Sequence, residues 1–89
     1  MSSRTLRVVM LHPDTEAEDL EDVFSEYGDI ESVVVEEGRR DTARSRGRAA
    51  IVFADEASAQ AAFDARDRTI LDARQIRLQF VPDGDDPFA

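Results

Sequence analysis

The chain is predicted to fold as an α+β two-layer structure, a four-stranded antiparallel sheet with two helices on one face, in the order β-α-β-β-α-β. Three observations predict it. Four short runs of β-branched and apolar residues alternate with period two, the period of a half-buried strand. Two intervening segments repeat their apolar residues at helical spacing. Gly, Pro and Asp punctuate the junctions. The 89 residues are enough for one domain with a single modest core, placed at 4–81, with 82–89 as an acidic C-terminal tail.

Leu6 to Leu11 is the first strand, with Leu6 and Val8 inward and Arg7 and Val9 outward. His12-Pro13-Asp14 breaks it. His12 reads as a polar residue at a strand end and not as a ligand or catalyst, because no partner residues accompany it. Thr15-Glu16-Ala17-Glu18 fits a capping box in which the Thr15 hydroxyl serves as the cap. Leu20, Val23, Phe24 and Tyr27 then make one apolar stripe, and Gly28 is expected as a left-handed stop. Glu16, Glu18, Asp19, Glu21, Asp22 and Glu26 remain on the other side, either as a solvated face or as a dock for a basic peptide.

The second strand starts at Ile30, with Val33 and Val35 inward and Ser32 and Val34 outward. A polar turn, 36–45, carries Gly38 and the arginines Arg39, Arg40 and Arg44. The third strand, R-S-R-G-R-A-A-I-V-F from Arg44 to Phe53, puts Arg44, Arg46 and Arg48 on one side and Gly47, Ala49, Ile51 and Phe53 on the other. Asp55 caps a second helix whose inner face is Ala59, Ala62 and Phe63. Ile70 to Arg74 reads as a connecting turn. In the last strand, Gln75 to Val81, Ile76, Leu78 and Phe80 point inward while Gln75, Arg77 and Gln79 point outward. Pro82 ends it, and the tail has little to pack except Phe88. This order is that of a ferredoxin-like sandwich. Its helix-free face is expected to display Arg7, Val9, Val34, Arg46, Arg48, Ala50, Val52, Gln75, Arg77 and Gln79.

Charge is unevenly distributed along the chain. The net charge of −9 argues against a polyanionic partner, but residues 14–37 hold eleven acids and no base, whereas 38–48 hold five arginines and one Asp. All eleven cations are Arg and none is Lys. A GC-biased or salt-adapted source explains the missing Lys, while a need for planar, forked donors explains the clustering. Cysteine is absent and His12 is the one histidine, so neither a thiolate metal site nor a disulfide framework is expected. No run of about 18 apolar residues and no signal-peptide core is found, so no membrane association is expected. An intracellular setting fits, with nucleus and cytoplasm not distinguished. Asp83-Gly84-Asp85-Asp86 lacks the spaced ligands and closing Glu of a calcium loop. No nucleophile, base or phosphate-loop pattern is present, so the chain is expected not to be an enzyme and to need no cofactor.

Between residues 4 and 81 the chain resembles the RNA recognition motif (RRM) family. The family's eight-residue signature, K/R-G-F/Y-G/A-F-V-x-F/Y, appears as R-G-R-A-A-I-V-F, matching at Arg46, Gly47, Ala49 and Phe53 with Ile51 conservative. Its six-residue signature appears as L-R-V-V-M-L from Leu6, and Asp19 to Ile30 looks like the family's first helix and its exit. The resemblance implies single-stranded RNA as ligand. It also implies rings at three sheet positions that here are Arg7, Arg48 and Ala50. Base–aromatic stacking contributes about 1–3 kcal/mol per base, so binding without those rings is expected to be weak. Arginine planes restore part of that by stacking and by contacting phosphate. The expected RNA-binding residues are Arg7, Val9, Arg46, Arg48, Ala50, Arg77 and Gln79 on the sheet, with Gln75 alongside, and Arg39, Arg40 and Arg44 as a clamp in the 37–45 loop.

A second implication is protein recognition, by a peptide or by a second copy of the chain. Some RRM-like domains of splicing factors bind a tryptophan-bearing basic peptide through an acidic first helix and an Arg-x-Phe turn. The nearest equivalent here is Arg68-Thr69-Ile70, with Ile in place of the ring. On the solvent-filler alternative, Arg7 and Arg48 merely pair with carboxylates such as Glu36 on an unused face.

Overall fold

The computed structural model describes residues 3–12, 14–37, 45–82 and 84–88. In chain order its elements are β1 (Thr5–Val9), α1 (Ala17–Phe24), a 3₁₀ turn (Ser25–Tyr27), β2 (Ile30–Glu37), β3 (Ser45–Phe53), α2 (Glu56–Arg66), β4 (Ile70–Leu71), β5 (Arg74–Gln75) and β6 (Arg77–Val81). The main sheet is antiparallel with spatial order β2-β3-β1-β6, so β3 and β1 are its central strands. This is the ferredoxin-like sandwich that the alternation predicts. Among the described residues, no helix is long and apolar enough to cross a membrane.

One face of that sheet is sealed. Leu6 and Val8 of β1, Ala49, Ile51 and Phe53 of β3 and Leu78 of β6 are buried against Leu20 and Phe24 of α1 and Ala59 and Ala62 of α2. Fully burying a large apolar side chain stabilises by roughly 1.5–3 kcal/mol, so these few residues supply most of the driving force. The alanines let α2 lie close to the sheet. Beside them Phe63 stacks on Phe80 with centroids 4.9 Å apart. Ile30, Val33 and Val35 of β2 pack on the rim of the same core.

Local details differ from expectation in three places. The cap of α1 is Glu16, one residue later than expected, with its N–H donated to Asp19 Oδ2 at 3.0 Å. Thr15 is buried and its hydroxyl donates instead to Asp72 Oδ2 at 2.7 Å, a partner 57 positions away that no local pattern could announce. Gly28 is not a left-handed stop. Its φ of +152° and ψ of 179° are extended and open only to glycine, and a Cβ there would lie 2.5 Å from Ser58 Cβ. Gly28 is therefore needed for clearance against α2 as much as for its backbone angles.

The third difference is the segment after α2. Ile70 to Arg74, expected as a plain turn, is a hairpin in which Ile70 pairs with Gln75 and Leu71 with Arg74. Gln75 thereby leaves the main sheet for this separate ribbon, and its amide donates to the Arg68 carbonyl at 3.0 Å. The last strand of the main sheet begins only at Arg77. Asp72 (φ 50°) and Ala73 (φ 66°) turn the hairpin with two successive left-handed residues. Such a turn favours Asn-Gly or Asp-Gly, so Ala73 is the strained member. Ala73→Gly is expected to raise stability by about 0.5 kcal/mol, read as a higher urea midpoint with unchanged slope.

The cap of α2 is as expected, with Asp55 Oδ1 accepting from Ser58 N at 2.7 Å. That backbone bond, assisted by the Ser58 side chain, holds the Asp55 carboxyl below its ordinary 3.8. A depressed carboxyl contributes stability above its unfolded pKa and loses it as pH falls through the lower folded value. Asp55→Asn keeps an accepting cap without the titration. Wild type is therefore expected to lose its advantage over this variant below about pH 3.8, which urea midpoints taken across acid pH will show.

Candidate nucleic-acid interface

Neither helix covers the opposite side of the sheet. Antiparallel register arranges its outward residues in three rows. Ser32, Val52, Thr5 and Val81 form the first row, and Val34, Ala50, Arg7 and Gln79 the second. Arg48, Val9 and Arg77 form the third. The inward neighbours of these residues are locked in the core, so a shift of one position would bury the arginines and expose the leucines. Packing on one face thus enforces the display on the other.

Each described arginine of this face already has an oxygen partner. Arg7 Nε donates to Gln79 Oε1 at 2.9 Å and its Nη2 donates to the same oxygen, while Nη1 donates to the Pro87 carbonyl at 3.3 Å. Arg48 donates through Nε (3.2 Å) and Nη2 (2.8 Å) to Glu36 Oε1. Arg77 Nε lies 3.6 Å from Asp67 Oδ1, an ion pair too long for a hydrogen bond, and that oxygen accepts from Leu78 N at 2.8 Å. The buried Arg77 Nε has no hydrogen-bond partner, whereas 43% of the Arg77 side chain is exposed and open to an incoming anion.

Among the described residues, the strands of this face display basic and apolar side chains and no aromatic ring. Ala50 is buried at its floor, Val9 is half-buried and Val34 is 52% exposed. Phe24 and Phe53 are in the core, Tyr27, Phe63 and Phe80 pack against it, and Phe88 belongs to the tail, half-buried beside Pro87. Of the expected site residues, the structure brings Arg7, Val9, Arg48, Ala50, Arg77 and Gln79 together on this one surface. The backbone of Arg46 lies in β3, but its side chain is outside the described atoms, as are Arg39, Arg40 and Arg44 entirely. Gln75 stands apart, in the hairpin.

Asp67 and the Pro87 carbonyl were not legible as site groups. Asp67 follows α2 as its C-cap, and only the folded chain brings it to Arg77. A backbone carbonyl carries no sequence signal at all. Glu36 was legible, because alternation along β2 puts it on the outward side next to Arg48.

The four-stranded sheet with its helices on one side and an arginine-bearing, helix-free face on the other defines a ferredoxin-like α+β sandwich with one sheet face left open. The sequence profile described as RNA recognition motif matches residues 6–77, and the chain belongs to that family. Solved structures share the fold. The Rna15 RRM with bound RNA (GU) is 24% identical, with 94% of this chain and 88% of that chain covered and a TM-score of 0.84. RNA binding protein PG1 is 25% identical over 94% of this chain and 100% of that one, with a TM-score of 0.85. A Sex-lethal protein–RNA complex is 20% identical over 96% of this chain and 50% of that one, with a TM-score of 0.84.

Proposed function

We propose that this chain binds single-stranded RNA on its helix-free sheet face, weakly and with strong salt dependence. The observation that carries the reading is the placement of Arg7, Arg48 and Arg77 on the open side of the central and last strands, in a chain that is acidic overall. Family membership supports it, as do the RNA-bound structures that share the fold. Arg7, Arg46, Arg48 and Arg77 contact phosphate or stack on bases, Gln79 meets a base edge, and Val9 and Ala50 give apolar contact. Arg39, Arg40 and Arg44 clamp the backbone from the 37–45 loop. Affinity is modest for two reasons. No strand residue of the face supplies a stacking ring, and a phosphate must compete with Glu36 for Arg48 and with Asp67 for Arg77. Such a module acts inside the cell, without enzymatic activity or a cofactor of its own.

A second reading is protein recognition. Glu16, Glu18, Asp19, Glu21, Asp22 and Glu26 are all exposed, and Ile70 is 65% exposed at the turn that the peptide-binding relatives of this fold use. A basic, tryptophan-bearing peptide that shifts the amide signals of α1 and Ile70, with the sheet unmoved, would favour it.

Titration with a mixed single-stranded RNA pool is expected to shift the amides of β1, β3 and β6. With about three phosphates neutralised, the logarithm of affinity should fall against that of salt with a slope of about −2. Glu36→Gln frees Arg48 and removes a negative charge from the face, so it is expected to tighten binding about threefold at low salt. Unmoved sheet signals at low salt would remove the RNA reading.

A further inference from the structure

We infer that Arg7 and Gln79 form a donor-only subsite that prefers guanine to adenine, and that the chain's own Pro87 carbonyl fills it until RNA displaces it. The inference deepens the RNA-binding reading and rests on it. Gln79 lies opposite Arg7 in the sheet, and its Oε1 accepts from both Nε and Nη2 of that arginine. Arginine has only donors, so the Gln79 amide must turn its oxygen toward Arg7, leaving the two Nε2 protons for a ligand. An unencumbered glutamine reads adenine with both ends of its amide, the oxygen accepting from N6 and the nitrogen donating to N7. Here the oxygen is occupied. Adenine N6 would find no acceptor, whereas guanine offers two acceptors, O6 and N7, to Gln79 Nε2 and Arg7 Nη1.

The structure already holds an acceptor of that chemistry in place. Arg7 Nη1 donates to the Pro87 carbonyl at 3.3 Å, and Phe88 N donates to Asp86 Oδ1 at 2.8 Å, shaping the turn that presents this carbonyl. Pro87 and Phe88 are half-buried where the tail brings this acceptor to the site. One long bond of 3.3 Å is a weak hold, and a guanine O6 can replace it. The buried Ala50 opposite Arg7 provides no stacking ring, which leaves hydrogen bonds to set the base preference here.

The test uses the full chain at low salt and two short oligouridylates identical but for one central purine, guanosine or adenosine. The guanosine oligomer is expected to bind about fivefold to tenfold more tightly. On its addition the Phe88 amide signal should move as the tail leaves. Arg7→Ala releases Gln79 Oε1, so the preference should shrink or turn toward adenosine. Should that variant lose all measurable affinity, Gln79→Glu decides, since it keeps the acceptors, removes both donors and should erase the preference. Equal affinities in the wild type, or a preference unchanged in the variants, overturns the subsite while RNA binding stands. A still Phe88 amide overturns the tail's part in it. Failure of both oligomers to bind removes the RNA reading and the subsite together.

Discussion

Everything in this molecule depends on the pairing of β1 with β3. Those central strands, held from Thr5 opposite Val52 to Val9 opposite Arg48, place Leu6, Val8, Ala49 and Ile51 in the core and Arg7, Arg48 and Ala50 on the other side. The side-chain period of a strand couples the two sets rigidly. The hydrophobic free energy of the sealed face therefore sets the geometry of the open one.

That surface is balanced internally. Glu36 answers Arg48, Asp67 stands near Arg77, and Arg7 is held by a neutral amide and a backbone carbonyl. The Arg7 arrangement differs from the others, because neither partner cancels the guanidinium charge. Arg7 keeps its full attraction for an anion while its orientation is fixed, which lowers the entropy lost when a ligand arrives. Arg48, by contrast, is partly neutralised by a largely buried carboxylate, and a phosphate must offset that pairing before it gains anything.

Every aromatic residue but Phe88 of the tail lies on the core side of this fold. Phe24 and Phe53 fill the centre, Phe63 and Phe80 stack on each other, and the Tyr27 hydroxyl accepts from Arg66 Nε at 2.8 Å. A small domain has little apolar volume to spare, and rings buried there stabilise the sandwich at the cost of the stacking surface that its family uses on the other face. What the open face retains is hydrogen-bonding capacity, carried by Arg7, Gln79, Arg48 and Arg77.

The sequence by itself determined the four strands of the main sheet, the two helices, their order and the inward and outward sets of β1, β2, β3 and β6. Each of these follows from short-range periodicity and from caps such as Asp55. It also marked Arg7, Arg48, Arg77 and Gln79 as outward residues, since alternation alone decides that. Apart from Glu36, the partner of Arg48 that alternation along β2 already placed beside it, only the tertiary structure decided who answers them. The bonds Thr15–Asp72, Arg7–Gln79 and Arg7–Pro87 join residues 57, 72 and 80 positions apart, and no local pattern carries such information. The same holds for Gly28, whose missing Cβ makes room for Ser58, and for Gln75, which the positive φ angles of Asp72 and Ala73 draw into a hairpin of its own. Side-chain direction is a property of the strand, but a side chain's partner is a property of the whole packed chain.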